Sequence, residues 1–227
     1  MRIAPAFFWL TLLLLPKCLL GQQFFRVMAD FSTKQKNADS TLQLTVGKVY
    51  FDRTKQKIVY LITFPQKETW VMQDSFMYKI QNGKLMSKEK TGNMVGFSIF
   101  NLAANGKLAD FGLKSSGYTM GKVEKDKRLT LTTWNPNPKL AKKLGHIVLA
   151  SQDKRLSGVI FYNPGKELVS RQFFRKYQNF FGFEFPLEIT QFTNTKKGQS
   201  LTLTTYKNLV VNALNEDNIY NFAVPGY

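Results

Sequence analysis

The sequence has few of the side chains that most often carry out chemistry. Its 227 residues include one cysteine, Cys18, and one histidine, His146. A single cysteine cannot form an intrachain disulfide, and His146 opens a strand-like segment without a nucleophile motif, as expected for a surface residue. The 15 acidic residues show no paired or metal-ligand spacing, and no glycine-rich phosphate loop occurs. We therefore predict no catalytic residue, no metal site, no cofactor and no enzymatic activity.

Long apolar runs are also missing, except for one that spans residues 6–15. A basic residue precedes this run and the small residue Gly21 follows it, as in a secretory signal peptide. The run is shorter than the roughly 20 residues that a membrane-spanning helix needs. A lipoprotein signal would place small residues directly before Cys18, but a proline and a lysine precede it, so lipidation is the less favoured alternative. We predict a signal peptide at 1–21 and, because no linker divides the rest, one domain at 22–227.

Negative charge is scarce, because 15 acidic residues stand against 32 basic ones and give a net charge of +17. The lysines are spread over predicted turns, where they also oppose edge-to-edge aggregation, and they do not form one basic tract. Together with the export signal, this spread argues against a nucleic-acid partner. The excess of positive charge instead predicts transient contact with an anionic membrane surface.

β-Branched and aromatic residues, punctuated by glycine, asparagine and proline, dominate the mature chain and predict a mainly β protein. The pair Asn82-Gly83 predicts a tight two-residue hairpin, which favours an antiparallel meander. Two prolines at 135–145 predict a loop with a short helical turn. We predict strands at 24–34, 40–52, 56–64, 68–81, 84–89, 108–114, 117–124, 127–134, 146–152, 156–162, 167–181, 184–194 and 199–211.

The segment 58–64 is apolar on both faces of its predicted strand, since residues at even positions share one face and those at odd positions the other. A strand of this kind needs a cover on each side, which can be protein or a ligand. Adjacent phenylalanines at 173–174 and 180–181 also place large apolar side chains on both faces of a strand. We expect the wall of a cavity on one of these faces.

Residues 91–107, TGNMVGFSIFNLAANGK, interrupt the strand pattern and end in a plausible left-handed helix stop at Asn105-Gly106. As a helix over 91–105, this segment is apolar around most of its circumference. Such a helix does not lie on a surface. We predict that it is buried between other elements or plugs a cavity.

Several short motifs occur along almost the whole mature chain. They are VYFDR at 49–53, FP at 64–65, WVMQDSFMYKI at 70–80, TGN at 91–93 with an apolar helix after it, LADFGLKSSGYTM and RLTLTTWNP within 108–136, and NFAVPGY at 221–227. Together they resemble the motifs of the outer-membrane lipoprotein carriers, the LolA-type proteins. The resemblance includes the strand end at Arg53 and the closing F-x-x-P-x-G pattern.

The resemblance implies an unclosed antiparallel β-barrel of about eleven strands, with a helical lid over an apolar cavity. It implies a periplasmic carrier in a Gram-negative bacterium that binds the acyl chains of lipoproteins, or a related lipid, and shuttles them toward the outer membrane. The implied partners are the inner-membrane lipoprotein export machinery and an outer-membrane acceptor, and the implied state is a monomer. A lipid sensor or regulator of the same fold, and a hydrolase acting on a lipid, are the alternatives.

The resemblance also assigns the residues of the cavity and its lid. Arg53 matches the arginine at a strand end of the family, where its guanidinium would bond backbone carbonyls of the lid or a lipid head group. The predicted cavity and lid residues are Arg53, Tyr60, Ile62, Phe64, Trp70, Met72, Met94, Phe97, Phe100 and Leu102.

Overall fold

A computed structural model describes residues 23–226, so the predicted signal peptide and Cys18 lie outside the described residues. Within these residues the chain forms thirteen strands and three short helices. The strands are β1 (Arg26–Lys36), β2 (Leu42–Asp52), β3 (Lys57–Phe64), β4 (Glu68–Gln73), β5 (Phe76–Gln81), β6 (Lys84–Lys90), β7 (Tyr118–Asp126), β8 (Leu129–Pro136), β9 (Ile147–Gln152), β10 (Arg155–Tyr162), β11 (Leu168–Phe180), β12 (Phe183–Thr195) and β13 (Gly198–Val211). The helices are α1 (Ile99–Ala104), a 3₁₀ turn (Leu113–Ser115) and α2 (Asp217–Tyr220).

All thirteen strands belong to one antiparallel sheet, which consists of two meanders. Strands β1 to β6 form one meander and β7 to β13 the other, and β1 pairs with β13 in the middle. The edges of the sheet are therefore β6 and β7, and the sheet does not close. The prediction of a mainly β, unclosed antiparallel architecture is confirmed, with thirteen strands where the resemblance implied about eleven.

One segment connects the two edge strands and covers one face of the sheet, which we call the inner face. This lid segment, residues 91–117, packs Phe100 and Val95 into a cluster formed by β1, β2, β3, β12 and β13, and Leu102 and Phe111 into a cluster formed by β8 to β11. Ile99 contacts the apolar clusters of both halves. The lid segment is thus a shared part of the core as well as a connection.

The opposite face of the first meander is covered by the C-terminal segment. Tyr220 and Val224 pack against Val59, Val71 and neighbouring side chains, all nearly inaccessible to solvent. The inner side of β3, which includes Ile58, lies in the cluster beneath the lid segment. The strand is therefore apolar on both faces: the C-terminal segment covers the outer face, and on the inner face Ile58 and Tyr60 line the cavity described below.

The two pairs of adjacent phenylalanines differ in their surroundings. Phe174 is buried on the inner face, where it lines the cavity described below, whereas Phe173 makes an edge-to-face contact with Phe192, with ring centres 6.2 Å apart. Phe181 is 88% exposed in the turn between β11 and β12. The structure therefore places a cavity wall at the pair 173–174, whereas Phe181 of the pair 180–181 meets solvent.

Local side-chain hydrogen bonds and left-handed residues explain where the predicted elements differ from the observed ones. The helix predicted over 91–105 is confined to α1, because Ser98 caps it by accepting the N–H of Asn101 at 3.2 Å. The segment 108–114 is not a strand, since Phe111 has a φ of 51° and strands need extended backbone. The predicted strand 68–81 is a hairpin, β4 and β5.

Candidate functional site

A cavity of about 340 Å³ lies between the lid segment and the inner face. Its walls are aromatic and aliphatic side chains with a few uncharged polar groups among them. The lining residues are Ile58, Tyr60, Met72, Met94, Phe97, Ser98, Ile99, Phe100, Phe111, Gln172, Phe174, Ile189, Gln191, Thr204 and Tyr206. Five of the ten residues predicted for the cavity and lid are in this set.

Phe100 fixes α1 to the floor of the cavity. Its side chain is 1% exposed, and its ring centre lies 5.2 Å from that of Phe185, 5.4 Å from that of Tyr206 and 6.1 Å from that of Phe51. Aromatic pairs at such distances stabilise packing beyond the area that they bury. Phe100 therefore anchors the lid segment.

Met94 and Phe97 lie at the mouth of the cavity and are only partly covered. They are 43% and 49% exposed although they line the same space as Phe100. The first part of the lid segment is consequently in contact with water, unlike the fully buried helix that the sequence predicts. The physical reason is that residues 94–98 form turns and no regular helix, so their side chains do not all point inward.

Two buried phenols in the wall of the cavity stay neutral at physiological pH. Desolvation by burial raises the pKa of Tyr60 to about 12. Burial also raises the pKa of Tyr206 well above its usual value, and the proximity of Tyr60 adds to this shift. None of the described residues that line the cavity carries a charge. An apolar ligand therefore meets no unpaired charge there.

Solved structures with the same architecture identify the fold. A LolA superfamily protein from Nitrosomonas europaea has a TM-score of 0.58 at 11% sequence identity, over 87% of this chain and 91% of that chain. An outer membrane lipoprotein-sorting protein domain from Vibrio parahaemolyticus has a TM-score of 0.59 at 13% identity, over 87% and 89%. A DUF1329 family protein from Desulfovibrio piger has a TM-score of 0.61 at 11% identity, over 88% and 91%. The chain has a LolA-like fold. No protein-family model and no curated protein matches its sequence.

In this LolA-like fold, residues at the end of β2 bond both to the lid segment on the inner face and, through Arg26, to the C-terminal segment on the outer face. Arg53 donates from Nη1 to the carbonyl of Ala104, the last residue of α1, at 3.4 Å. Its neighbour Asp52 is 3% exposed and accepts a hydrogen bond from Nε of Arg26 at 3.0 Å. The structure thus places Arg53 against a backbone carbonyl of the lid, which is one of the two partners that the resemblance implies.

Arg26 extends this connection to the C-terminal segment that covers the outer side of the LolA-like sheet. Its Nη1 lies 2.5 Å from the carboxylate of Asp217, and its guanidinium lies 4.5 Å from the ring centre of Tyr220. Asp52 also accepts the backbone N–H of Lys55 at 3.0 Å, which fixes the turn after β2. Within the motif VYFDR, Arg53 therefore contacts the lid segment directly, and Asp52 is connected through Arg26 to the C-terminal segment.

The remaining predicted site residues lie away from the cavity lining. Ile62 is buried in the core of the first meander, and Leu102 anchors the lid segment to the second one. Trp70 packs at the rim of the first core and donates from Nε1 to Glu68 at 2.7 Å. Phe64 is 49% exposed, because a β-bulge after Ile62 reverses the alternation. That bulge puts Phe64 on the opposite face from Ile62.

Most cavity residues that the sequence reasoning missed come from β11, β12 and β13. Gln172 and Phe174 alternate along β11, and Thr204 and Tyr206 do so along β13, which is the pattern of one strand face. This alternation is visible in the sequence, but the pairing of β1 with β13, which brings these strands next to Tyr60, is not.

His146, the only histidine of the sequence, stacks on Tyr162 with ring centres 4.2 Å apart.

Among residues 23–226, no group of three or more histidine, cysteine, aspartate or glutamate side chains is arranged to hold a metal ion. In the same range, no helix is long and apolar enough to cross a membrane.

Proposed function

We propose that the protein is a carrier that shields the acyl chains of a lipoprotein, or of a related lipid, inside the cavity under the lid segment. The carrier works in the periplasm after removal of the signal peptide. It receives its cargo from the export machinery of the inner membrane and delivers it to an acceptor at the outer membrane, acting as a monomer without catalysis.

The single observation that carries this proposal is an uncharged, mainly apolar cavity closed by a segment that is anchored at one end and exposed at the other. Phe100 is buried among aromatic rings, whereas Met94 and Phe97 meet water at the mouth. Each buried methylene contributes about 0.8 kcal/mol, so acyl chains gain a large free energy by entering such a space. A protein that binds lipid needs such an uncharged, mainly apolar cavity.

The lid segment also gives a reason why cargo can leave again. The cavity measures about 340 Å³, near the lower end of the range for ligand pockets. Long acyl chains therefore enter only if the lid segment moves and gives up its own apolar contacts. This loss offsets part of the binding free energy and keeps the cargo releasable.

The names of the structural neighbours agree with this proposal. One is a LolA superfamily protein, and another is an outer membrane lipoprotein-sorting protein domain. With sequence identities of 11% and 13%, these neighbours support a shared fold, and the cargo is our inference from the cavity.

Native mass spectrometry of the protein purified gently from its own periplasm tests the proposal. We expect a bound species with acyl chains, and we expect a pulldown to recover mature lipoproteins. A ligand-free protein that takes up no fluorescent fatty-acid probe contradicts the carrier. Recovery of a signalling protein without lipoprotein favours a sensor, and turnover of a lipid ester favours a hydrolase.

A further inference from the structure

Three uncharged polar side chains lie together in the lining of the cavity. Gln172 donates from Nε2 to Oε1 of Gln191 at 3.4 Å, and Gln191 donates in turn to the hydroxyl of Thr193 at 3.2 Å. Thr204 lies opposite Ile189, at the boundary between these amides and the apolar part of the lining, with its hydroxyl 3.1 Å from that of Thr33. Gln172, Gln191 and Thr204 line the same cavity as Phe100.

These side chains begin a continuous polar surface on the inner face. Along β12 the lining changes from Ile189 to Gln191 within two residues, so the same face turns from apolar to amide. The strand register then places amides and hydroxyls directly opposite one another across five strands. The row consists of Gln43, Gln35, Thr202, Gln191 and Gln172.

Charge is confined to the other face of these strands. The neighbours of Gln35 are Lys34 and Lys36, and the residue before Gln172 is Arg171, all of which alternate to the outer side. Charged residues make up 21% of the chain, and a sheet face that only meets water normally carries some of them. Their exclusion from the inner face indicates a surface adapted to an uncharged polar ligand.

The chemistry of amides and hydroxyls decides which polar group fits. Both donate and accept hydrogen bonds, so they pair with ester, amide and hydroxyl groups. A carboxylate or phosphate would lose hydration on entry and would find no cation among the described residues that line the cavity.

We propose that Gln172, Gln191 and Thr204 form a subsite for the uncharged, hydrogen-bonding head of the bound lipid. The acyl chains occupy the apolar end near Phe100 and Ile189, and the ester, amide or hydroxyl groups that join them contact the subsite. This inference rests on the proposed function and adds selection by head group. The cavity thereby discriminates against anionic lipids, although the protein as a whole is positively charged.

Competition between lipids with the same acyl chain tests this selection. A fluorescent fatty-acyl probe is displaced by 1-monopalmitoylglycerol, by an N-palmitoylated uncharged dipeptide amide, by palmitate and by palmitoyl lysophosphatidylglycerol. One net hydrogen bond is worth roughly 2- to 10-fold. We therefore expect the two uncharged competitors to act at concentrations about tenfold lower than the anionic ones. The relative strength of these two competitors shows whether the subsite prefers the glycerol ester or the peptide amide as the head group.

Variants then connect the selection to the subsite. The double substitution Gln172→Leu with Gln191→Leu should retain acyl binding but reduce the preference to about threefold or less. Gln191→Lys should shift the preference toward palmitate. Gln43→Leu, in the same row but outside the cavity, is the matched control and should leave the preference unchanged, and circular dichroism verifies that each variant is folded.

The outcomes separate this inference from the proposed function. If all four competitors displace the probe equally, or the anionic ones act more strongly, the polar subsite is wrong while a lipid carrier still stands. The same holds if the double variant keeps the full preference of the parent protein. If the protein binds neither the probe nor any of the four lipids, the proposed function fails, and this inference fails with it.

Discussion

At the scale of single residues, one buried ion pair lies where the end of β2 meets the C-terminal segment. Asp52 is the charged residue of the described core, and Arg26 is its partner. A buried carboxylate without a partner is strongly destabilising, whereas exposed ion pairs contribute little. Arg26 therefore matters through Asp52 much more than through the exposed Asp217.

The substitution Arg26→Met should lower the free energy of unfolding by about 3–5 kcal/mol, because it leaves the carboxylate of Asp52 buried without its cationic partner. The matched control Asp217→Asn removes the exposed partner of the same guanidinium and should cost less than about 1 kcal/mol. Urea denaturation at pH 7 measures both. Equal losses for the two variants would contradict the importance of the buried pair.

The buried phenol of Tyr60 makes the fold sensitive to alkali. Its pKa is raised from 10.0 in the unfolded chain to about 12 in the folded protein. The corresponding stability is fully present below pH 10 and is lost as the pH rises through about 12. Over this window one such group accounts for about 2–3 kcal/mol. The variant Tyr60→Phe should be close to the parent protein at pH 7 and lose less stability between pH 10 and 12, measured by chemical denaturation at each pH. Parallel losses in both proteins would show that Tyr60 does not titrate in this way.

At the scale of elements, the lid segment has an anchored part and an exposed part, and the two should respond differently to substitution. Phe100 is 1% exposed and Phe97 is 49% exposed. The opening of the cavity therefore depends on the turn residues before α1 more than on α1 itself.

Replacing Phe97 with Glu should change the free energy of unfolding by less than about 1 kcal/mol, since surface substitutions have small effects. It should nevertheless accelerate the uptake of a fluorescent fatty-acid probe, because a carboxylate at the mouth favours the open position of the lid segment. Phe100→Ala, in contrast, should cost about 3–5 kcal/mol. Phe181→Glu, at an 88% exposed turn position, is the control and should change neither property. Uptake at the parent rate by Phe97→Glu would count against a lid.

Arg53 should influence transfer of cargo more than folding. Its hydrogen bond to Ala104 spans 3.4 Å on the partly exposed rim, and such a bond contributes about 1 kcal/mol or less. We expect Arg53→Ala to melt near the parent temperature but to hand over lipoprotein at an altered rate, with Arg53→Lys intermediate. Lys55→Ala, in the exposed turn beyond it, serves as the comparison. If both alanine variants transfer lipoprotein at the parent rate, Arg53 is only a solvated charge at the end of a strand and has no role in transfer.

The elements that the sequence predicts well are those whose signal is local. Alternation along each strand and the pair Asn82-Gly83 are sufficient for the meanders, and both residues of that pair have the positive φ that a tight hairpin needs. The length of α1 depends on the cap at Ser98, and the position of Phe64 depends on a bulge, which alternation alone does not reveal. Gln172 faces Gln191 across the hairpin of β11 and β12. The continuation of this polar row from Thr202 to Gln35 requires the pairing of β13 with β1, which are far apart in the chain, so no local pattern predicts it.

At the scale of the whole molecule, the dominant property is the excess of positive charge. The net charge of +17 produces a long-range attraction to anionic surfaces that does not depend on one basic patch. The cavity itself is uncharged. We therefore propose that attraction to a membrane depends on the net charge and selection of a ligand on the cavity, as two separate properties.

The protein should bind vesicles that contain phosphatidylglycerol and detach from them in salt. The Debye length falls from about 10 Å at 0.1 M to about 3 Å at 1 M salt, which screens exposed charges. We expect co-sedimentation to weaken by about tenfold or more over this range. Phosphatidylcholine vesicles are the control and should bind little at either concentration. Binding that resists 1 M salt would indicate insertion of apolar residues instead.

The central pairing of β1 with β13 has a consequence for how the chain folds. Each meander can form through hairpins between strands that are neighbours in sequence, but the join between them brings together groups as distant as Phe25 and Asn212, 187 positions apart. Contacts of such long range slow the search for the native state. The two meanders should therefore form first, and the cavity, whose walls come from both, cannot exist until β1 and β13 have paired.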